Sequence, residues 1–456
     1  MKRKFVSMLI VATLLLTMGL TGCGNQNNPP VENGTTPAAA TTPAAATTDN
    51  TPAKPATDKL VVWTFMNEGE PVGAWENTAI ELYKKTYPDV DVEFVYCGRD
   101  ILTKLSAILQ DKESPEFPDI VGEKDASMRA LAKDGLFYDL SEAFETPAFD
   151  QDKPWRDTFM PNLMKQFVMD GKEYFVPEGV YMHGFFYDKA MFRKLGLTAP
   201  KTWAEFTQLC EALKSKGITP LACDSSADIL NAWYFIRYAE KLVGPDILDK
   251  AAKGEISFKD DPGFLEAAKY TYGFKKNGWF QAGFEGSAWP SSQALFVQGN
   301  PAMLSMGAWI PSEMAKQTPP EMEMAMFPIP KLDGAKAQNS EELWSNVFAV
   351  VKDGKNNENA VNFLKIFSAQ QLSDAKTDLK VPSPLLGAKP VKELDVMEEM
   401  IANADSFSPT YDGLVGYGDW CNKIFGPLTT KLLVNSITPQ QFIDELDAKT
   451  KEFYKK

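Results

Sequence analysis

The chain has 456 residues, 44% hydrophobic and 12% aromatic, with a formal charge of −14. That composition suits well-filled globular bodies, the length favours two of them, and the acidic balance argues against nucleic acid and anionic lipid head groups as partners of the body. A single histidine, His183, and the lack of CxxC, HExxH, GxSxG and GxxxxGK[ST] patterns give no common metal, hydrolase or nucleotide signature, so no metal or cofactor is expected.

Lys2, Arg3 and Lys4 precede an apolar run from Phe5 to Leu16, the pattern of an export signal. The run is shorter than the roughly 20 apolar residues of a membrane span. Leu20-Thr21-Gly22-Cys23 resembles a bacterial lipobox, in which cleavage before the cysteine leaves acyl chains such as palmitate on that residue. The plain alternative is an ordinary cleaved signal with a spare cysteine. The expectation is a signal peptide over 1–22, lipidation at Cys23, and a tether over 23–58. In "TTPAAATTDNTPAKPAT" few residues could join a core, so that tether is expected to be disordered. The soluble part would then hang from the outer face of the cytoplasmic membrane, on a cell surface of the Gram-positive type.

From residue 59 the chain alternates. "KLVVWTF" reads as a buried strand, and "AWENTAIELYKKTYP" as a helix with Trp75, Ala79, Leu82 and Tyr83 on one face. "VDVEFVY" alternates like a strand, "DILTKLSAILQD" is an amphipathic helix, "FPDIVG" a strand and "ASMRALAKDGLFYDL" a helix. Such alternation implies a mostly parallel sheet covered on both faces, with ligands at the carboxyl ends of its strands. "KEYFVPEGVYMHGFFYD" holds two strand-like runs around Pro177. "TWAEFTQLCEALKSKG" opens on a capping box of Thr202 and Glu205. "ITPLAC" reads as a strand and "GFLEAAKYTYGFKKNGW" as a helix with Gly278 past its end. "SQALFVQGN" reads as a helix, "PAMLSMGAWIP" as a strand, and "TPQQFIDELDAKTKEFYKK" as a closing amphipathic helix.

The joint order of "ELYKKTYPDVDVEFV", "PDIVGEKDASMRALAKDGLFYDL", "GVYMHGFFYDKAMFRKLGLTAPKTWAEF" and "ALFVQGNPAMLSMGAW" resembles the extracellular solute-binding protein family 1, the maltose-binding-protein-like sugar receptors of bacterial importers. The resemblance implies an α/β periplasmic-binding-protein fold: two α/β lobes, a ligand cleft between them, and crossing segments near 176–179, 344–347 and 381–384. It divides the chain into 59–177 plus 345–381 as one lobe and 178–344 plus 382–456 as the other. It also implies a monomer that binds carbohydrate, does no chemistry on it, and hands it to permease subunits powered by a separate ATPase.

A pyranose has C–H faces that suit flat aromatic platforms and a hydroxyl rim that suits planar donors and acceptors. Trp309, after "SMGA", matches the family's ligand-stacking tryptophan. Trp289 precedes the "SSQALFVQG" helix near the family's cleft. Trp63 leads out of the first strand and could equally be core; Trp344 lies at the second crossing and could serve hinge or ligand. Tyr417 and Trp420 form a late aromatic loop in "GLVGYGDW". Trp203 and Trp233 read as structural. The polar candidates are Asn67, Glu68 and Glu70 after the first strand, Asp119, Glu123 and Asp125 around the third, and Glu178 and Tyr181 at the first crossing. Arg99, Asp412 and Asp419 follow behind them.

Alternatives remain at this stage. A tethered glycoside hydrolase needs only two carboxylates about 5–10 Å apart. A receptor for a peptide, polyamine, metal ion or phosphate ester would share the fold. Cys97, Cys210, Cys223 and Cys421 could form disulfides, Cys210 with Cys223 among the pairings, in a chain large enough not to need them.

Overall fold

The run "KLVVWT" forms β1 (Lys59–Thr64), buried along all but its first residue. Sheet formation here follows the expected chain order: β2 (Asp91–Tyr96), β3 (Ile120–Lys124) and β4 (Val176–Pro177), then β5 (His183–Asp188), β6 (Leu221–Ala222), β7 (Met303–Gly307) and β8 (Met324–Phe327). β9 (Ser340–Glu342), β10 (Asn346–Val350) and β11 (Ser406–Ser408) complete the strands used below. The computed structural model describes residues 59–70, 74–226 and 228–455. The signal, Cys23 and the tether lie outside them.

Two α/β lobes result, each around its own sheet. The first sheet has the order β2-β1-β3-β10-β4 and the second β8-β5-β7-β6. β1 pairs in parallel with β2 and β3, as right-handed strand–helix crossovers require, and β10 joins them antiparallel. The helix Ala74–Thr86 buries Trp75, Ala79 and Tyr83, one stripe at helical spacing, while Leu82 is only partly covered. The Thr202 box is complete: its hydroxyl accepts from Glu205 N at 3.2 Å and Glu205 Oε2 accepts from Thr202 N at 3.2 Å. A second box, Thr438 with Gln441, starts the last helix.

The segments that link the sheets lie side by side. Tyr181 N donates to Trp344 O at 2.8 Å, Glu178 N to Asn346 O at 2.9 Å, and Val180 N to Pro382 O at 2.9 Å. The third segment stays with the first lobe a little longer than its prolines suggest, because Met160 N donates to Pro384 O and Leu386 N to Thr158 O. Cys97, Cys210, Cys223 and Cys421 are free and buried, so the Cys210–Cys223 pairing does not form. Among the described residues no helix is long and apolar enough to cross a membrane.

Candidate functional site

The carboxyl ends of β1 and β3 form one edge of the first sheet. β10 runs antiparallel to β3 with Asn346 opposite Lys124, so its start reaches the same edge. Glu178, bonded through its backbone to Asn346, follows the end of β4 there. This is the position at which open α/β sheets bind ligands.

On that edge Arg99 organises the loop after β1. Its guanidinium donates to Phe65 O at 2.6 Å and to Glu70 Oε2 at 3.1 Å, and lies 4.9 Å from the Phe65 ring centroid. The Asn67 amide donates to the other Glu70 oxygen. Glu123 is buried, and burial raises its carboxyl above the usual range. Glu178 is 1% exposed, and burial lifts it to about 7. Asn346 and Lys376 favour its ionised form, but no donor completes a hydrogen bond of normal geometry to either carboxylate oxygen.

The second lobe supplies an aromatic wall. β7 ends at Gly307, and a Cβ there would overlap the Trp309 ring, so only glycine leaves room for the indole against the strand end. Trp309 stands 5.8 Å from Trp233 and 5.9 Å edge-on to Trp344; Trp344 in turn is 4.8 Å from Tyr181. Behind them Trp233 stacks on His183 at 4.6 Å and on Tyr411 at 4.4 Å. Glu342 holds this stack: Oε2 accepts from Trp233 Nε1 at 2.8 Å and Oε1 from Tyr411 N at 2.6 Å. Burial raises Glu342 to about 8. His183 bonds Ser305 at 3.0 Å, and burial holds it neutral, well below its ordinary pKa.

Glu313 follows Trp309 by one helical turn. Gln293 connects it to Trp289: in the amide orientation that satisfies both neighbours, its oxygen accepts from Trp289 Nε1 at 2.9 Å and its nitrogen donates to Glu313 Oε2 at 3.3 Å. Burial raises Glu313 to about 7, the Glu70 carboxylate adding to the rise and Arg99 opposing it. Glu313 on the second lobe's edge is therefore near enough to Glu70 and Arg99 on the first lobe's edge for their charges to act on it.

The cleft thus gathers Asn67, Glu70, Glu123, Glu178, Tyr181, Trp289, Trp309 and Trp344. Trp289 is 40% exposed, whereas the Trp63 and Trp344 Nε1 groups are buried and make no hydrogen bond. Glu68 is exposed beside them. Other candidates are committed elsewhere. Asp119 accepts from Val61 N, Lys355 N and Asn356 N, a backbone brace. Asp125 is 1% exposed and faces Arg129 at 3.6 Å. Tyr417 donates to Asp249. Trp420 is fully buried, stacks on Phe425 and donates to Thr450 Oγ1 at 2.9 Å, so it belongs to the core. Sequence reasoning missed Glu313, Gln293, Glu342 and Tyr411; for Glu313, four residues past Trp309, the helical spacing was the available signal. A groove of about 910 Å³ beside 327–331 and 395–404 is not this cleft, and none of its lining residues carries a buried, unpartnered polar atom.

The family model for bacterial extracellular solute-binding proteins matches residues 67–369. A probable sugar-binding periplasmic protein of Mesorhizobium japonicum is 26% identical over 60% of this chain and 64% of its own length. The multiple sugar-binding protein of Streptococcus mutans is 22% identical over 57% of this chain and 61% of its own length. The chain thus spans a little under two thirds of the curated relatives it matches. A structure from work on xylan utilisation by the thermophilic bacterium Caldanaerobius polysaccharolyticus aligns with TM-score 0.72 at 22% identity, covering 86% of this chain and 99% of the other. That likeness speaks to the fold.

Proposed function

The chain belongs to the bacterial extracellular solute-binding protein family, and from that premise we propose that it captures a sugar or short oligosaccharide without altering it. The observation that carries this reading is the contiguous aromatic group of Trp309, Trp344 and Tyr181, with Glu313 beside Trp309 near enough to the Glu70 and Arg99 loop for those charges to act on it. Indole faces take the C–H side of a pyranose, and planar side chains take its hydroxyls. The sugar-binding relatives support the same ligand class.

In this reading the lobes are 59–177 with 345–381 and 178–344 with 382–456, and they close about the linking segments around the ligand. The third crossing falls a few residues later, after the backbone bonds of Pro384 and Leu386 to the first lobe. Closure is driven by contacts made only when both edges touch the sugar. A micromolar dissociation constant needs only roughly −8 kcal/mol, within reach of one or two stacked rings and a set of hydroxyl bonds. The closed monomer then docks on the permease subunits of an importer driven by a separate ATPase, and Cys23 carries the lipid that keeps it at the membrane.

The test is calorimetry against a panel of mono- and oligosaccharides, with the incubated sugars analysed afterwards. Saturable binding at one site per chain with intact sugar is expected. Shortened sugar would identify a hydrolase instead, and silence across the panel would remove carbohydrate as the ligand.

A further inference from the structure

We propose that the cleft selects a pyranose carrying a protonated amine over its neutral counterpart. The inference rests on the reading of the cleft as a sugar site and narrows the class of sugar. It starts from an imbalance of charge among neighbouring groups. Glu70, Glu123, Glu178 and Glu313 line the two edges; Glu178 is near enough to raise the Glu76 carboxyl, and Glu70 near enough to raise Glu178. The cations near them are already engaged. Arg99 is bonded to Glu70 and the Phe65 carbonyl. Lys376 donates to the Glu178 carbonyl oxygen at 2.8 Å and sits 4.0 Å from the Trp75 ring centroid, rather than on the carboxylate. Lys124 is exposed, its ammonium 5.8 Å from the Phe65 ring, and its charge acts on Glu123.

Two acceptors are left with capacity. Glu178 is 1% exposed, and apart from the nearby Asn346 side chain no donor approaches its carboxylate with normal hydrogen-bond geometry. Glu313 takes only the Gln293 amide and the Trp309 indole N–H, both from within its own lobe, so lone pairs remain for a ligand donor. A buried carboxylate without a donor is costly, and the cost falls when a ligand supplies one. A hydroxyl brings one donor and no charge. An ammonium brings three donors and the compensating charge, and its bonds to a carboxylate are about twice as strong as neutral ones. The same ammonium is attracted to an indole face, so the Trp309 wall favours it too. A pyranose ring is needed as well, because an open polyamine would leave that wall unused.

The experiment is calorimetry at neutral pH on the full chain with pairs that differ at one group: glucosamine against glucose, galactosamine against galactose, and glucosamine oligomers against cello-oligosaccharides of equal length. Spermidine serves as the ringless cation. The amino form of at least one pair should bind at least about tenfold more tightly. Glu313→Gln and Glu178→Gln, each checked by its melting curve, should narrow that ratio. Equal or tighter binding of the neutral partners overturns the amine preference and leaves the sugar reading standing. Spermidine matching the best amino sugar overturns it too, as does a ratio that both variants leave intact. Binding of no sugar at all removes both readings.

Discussion

The two walls of the cleft are built in opposite ways. The aromatic wall is anchored from behind: Trp233 is clamped between His183 and Tyr411, and Glu342 bonds both Trp233 and the Tyr411 backbone. Glu342 belongs to β9, whose neighbour Glu341 joins the buried charges Arg237 and Lys241 on the helix Trp233–Val243. The polar wall is a loop held chiefly by Arg99 and Glu70, whose side chains remain 46% and 27% exposed. A preorganised surface loses little freedom on binding, while an adjustable one can conform to the ligand. The difference suggests that the second lobe receives the sugar and the first lobe closes over it.

The largest expected effect comes from breaking the anchor. Arg237 is fully buried, pairs with Glu240, lies 3.4 Å from Glu341 and donates to Ser340 O at 3.2 Å. Arg237→Ala leaves those carboxylates short of a buried partner, a loss of about 3–5 kcal/mol. Urea unfolding measures it. A midpoint within error of the parent would mean that the charges do not hold the wall.

Next comes the platform itself. Trp309 is only partly buried, so Trp309→Ala should leave the melting transition nearly in place. Losing one stacked ring should weaken sugar binding by at least about tenfold. Unchanged calorimetric affinity with a normal melt would take Trp309 out of the site.

A third test probes the aromatic wall by pH. Glu342 is raised to about 8 and Glu313 to about 7, in each case first by burial. A carboxyl raised in the folded state favours folding where it is protonated, fully below its unfolded value of about 4.3, and that contribution is lost as pH rises through the folded value. Stability should therefore fall between about pH 5 and pH 8. Glu342→Gln should flatten the slope, since the amide cannot ionise. A melting temperature that rises over this window in the parent would contradict the protonated state of the anchor.

Much of the frame was readable because it rests on local patterns. The stripe of Trp75, Ala79 and Tyr83 needs only helical spacing, and the Thr202 box needs two residues three apart. Trp309 could be placed at a strand end because "SMGA" fixes where β7 stops. The anchor was illegible for the opposite reason. "SEELW" looks like a solvated acidic stretch, and its partners Trp233 and Arg237 lie 109 and 104 positions away. Trp420 misled because glycines around it suggest an open loop, whereas the segment folds into helix against Thr450. Asp119 reads from the sequence as a polar candidate for the ligand, and three converging backbone N–H groups make it a backbone brace instead.

The smallest effect should come from the polar wall. An ion pair as exposed as Arg99–Glu70 contributes about 0–1 kcal/mol, so Arg99→Ala should barely move the unfolding midpoint. Its consequence should appear in binding. Without Arg99, Glu70 loses its cationic partner, and a neutral sugar loses a planar donor; affinity for neutral sugars should drop while an amine-bearing sugar loses less. Calorimetry on matched amino and neutral sugars reads the difference. If Arg99→Ala instead destabilised the fold as much as Arg237→Ala, the loop would be a second anchor, and the contrast between a fixed wall and an adjustable one would fail.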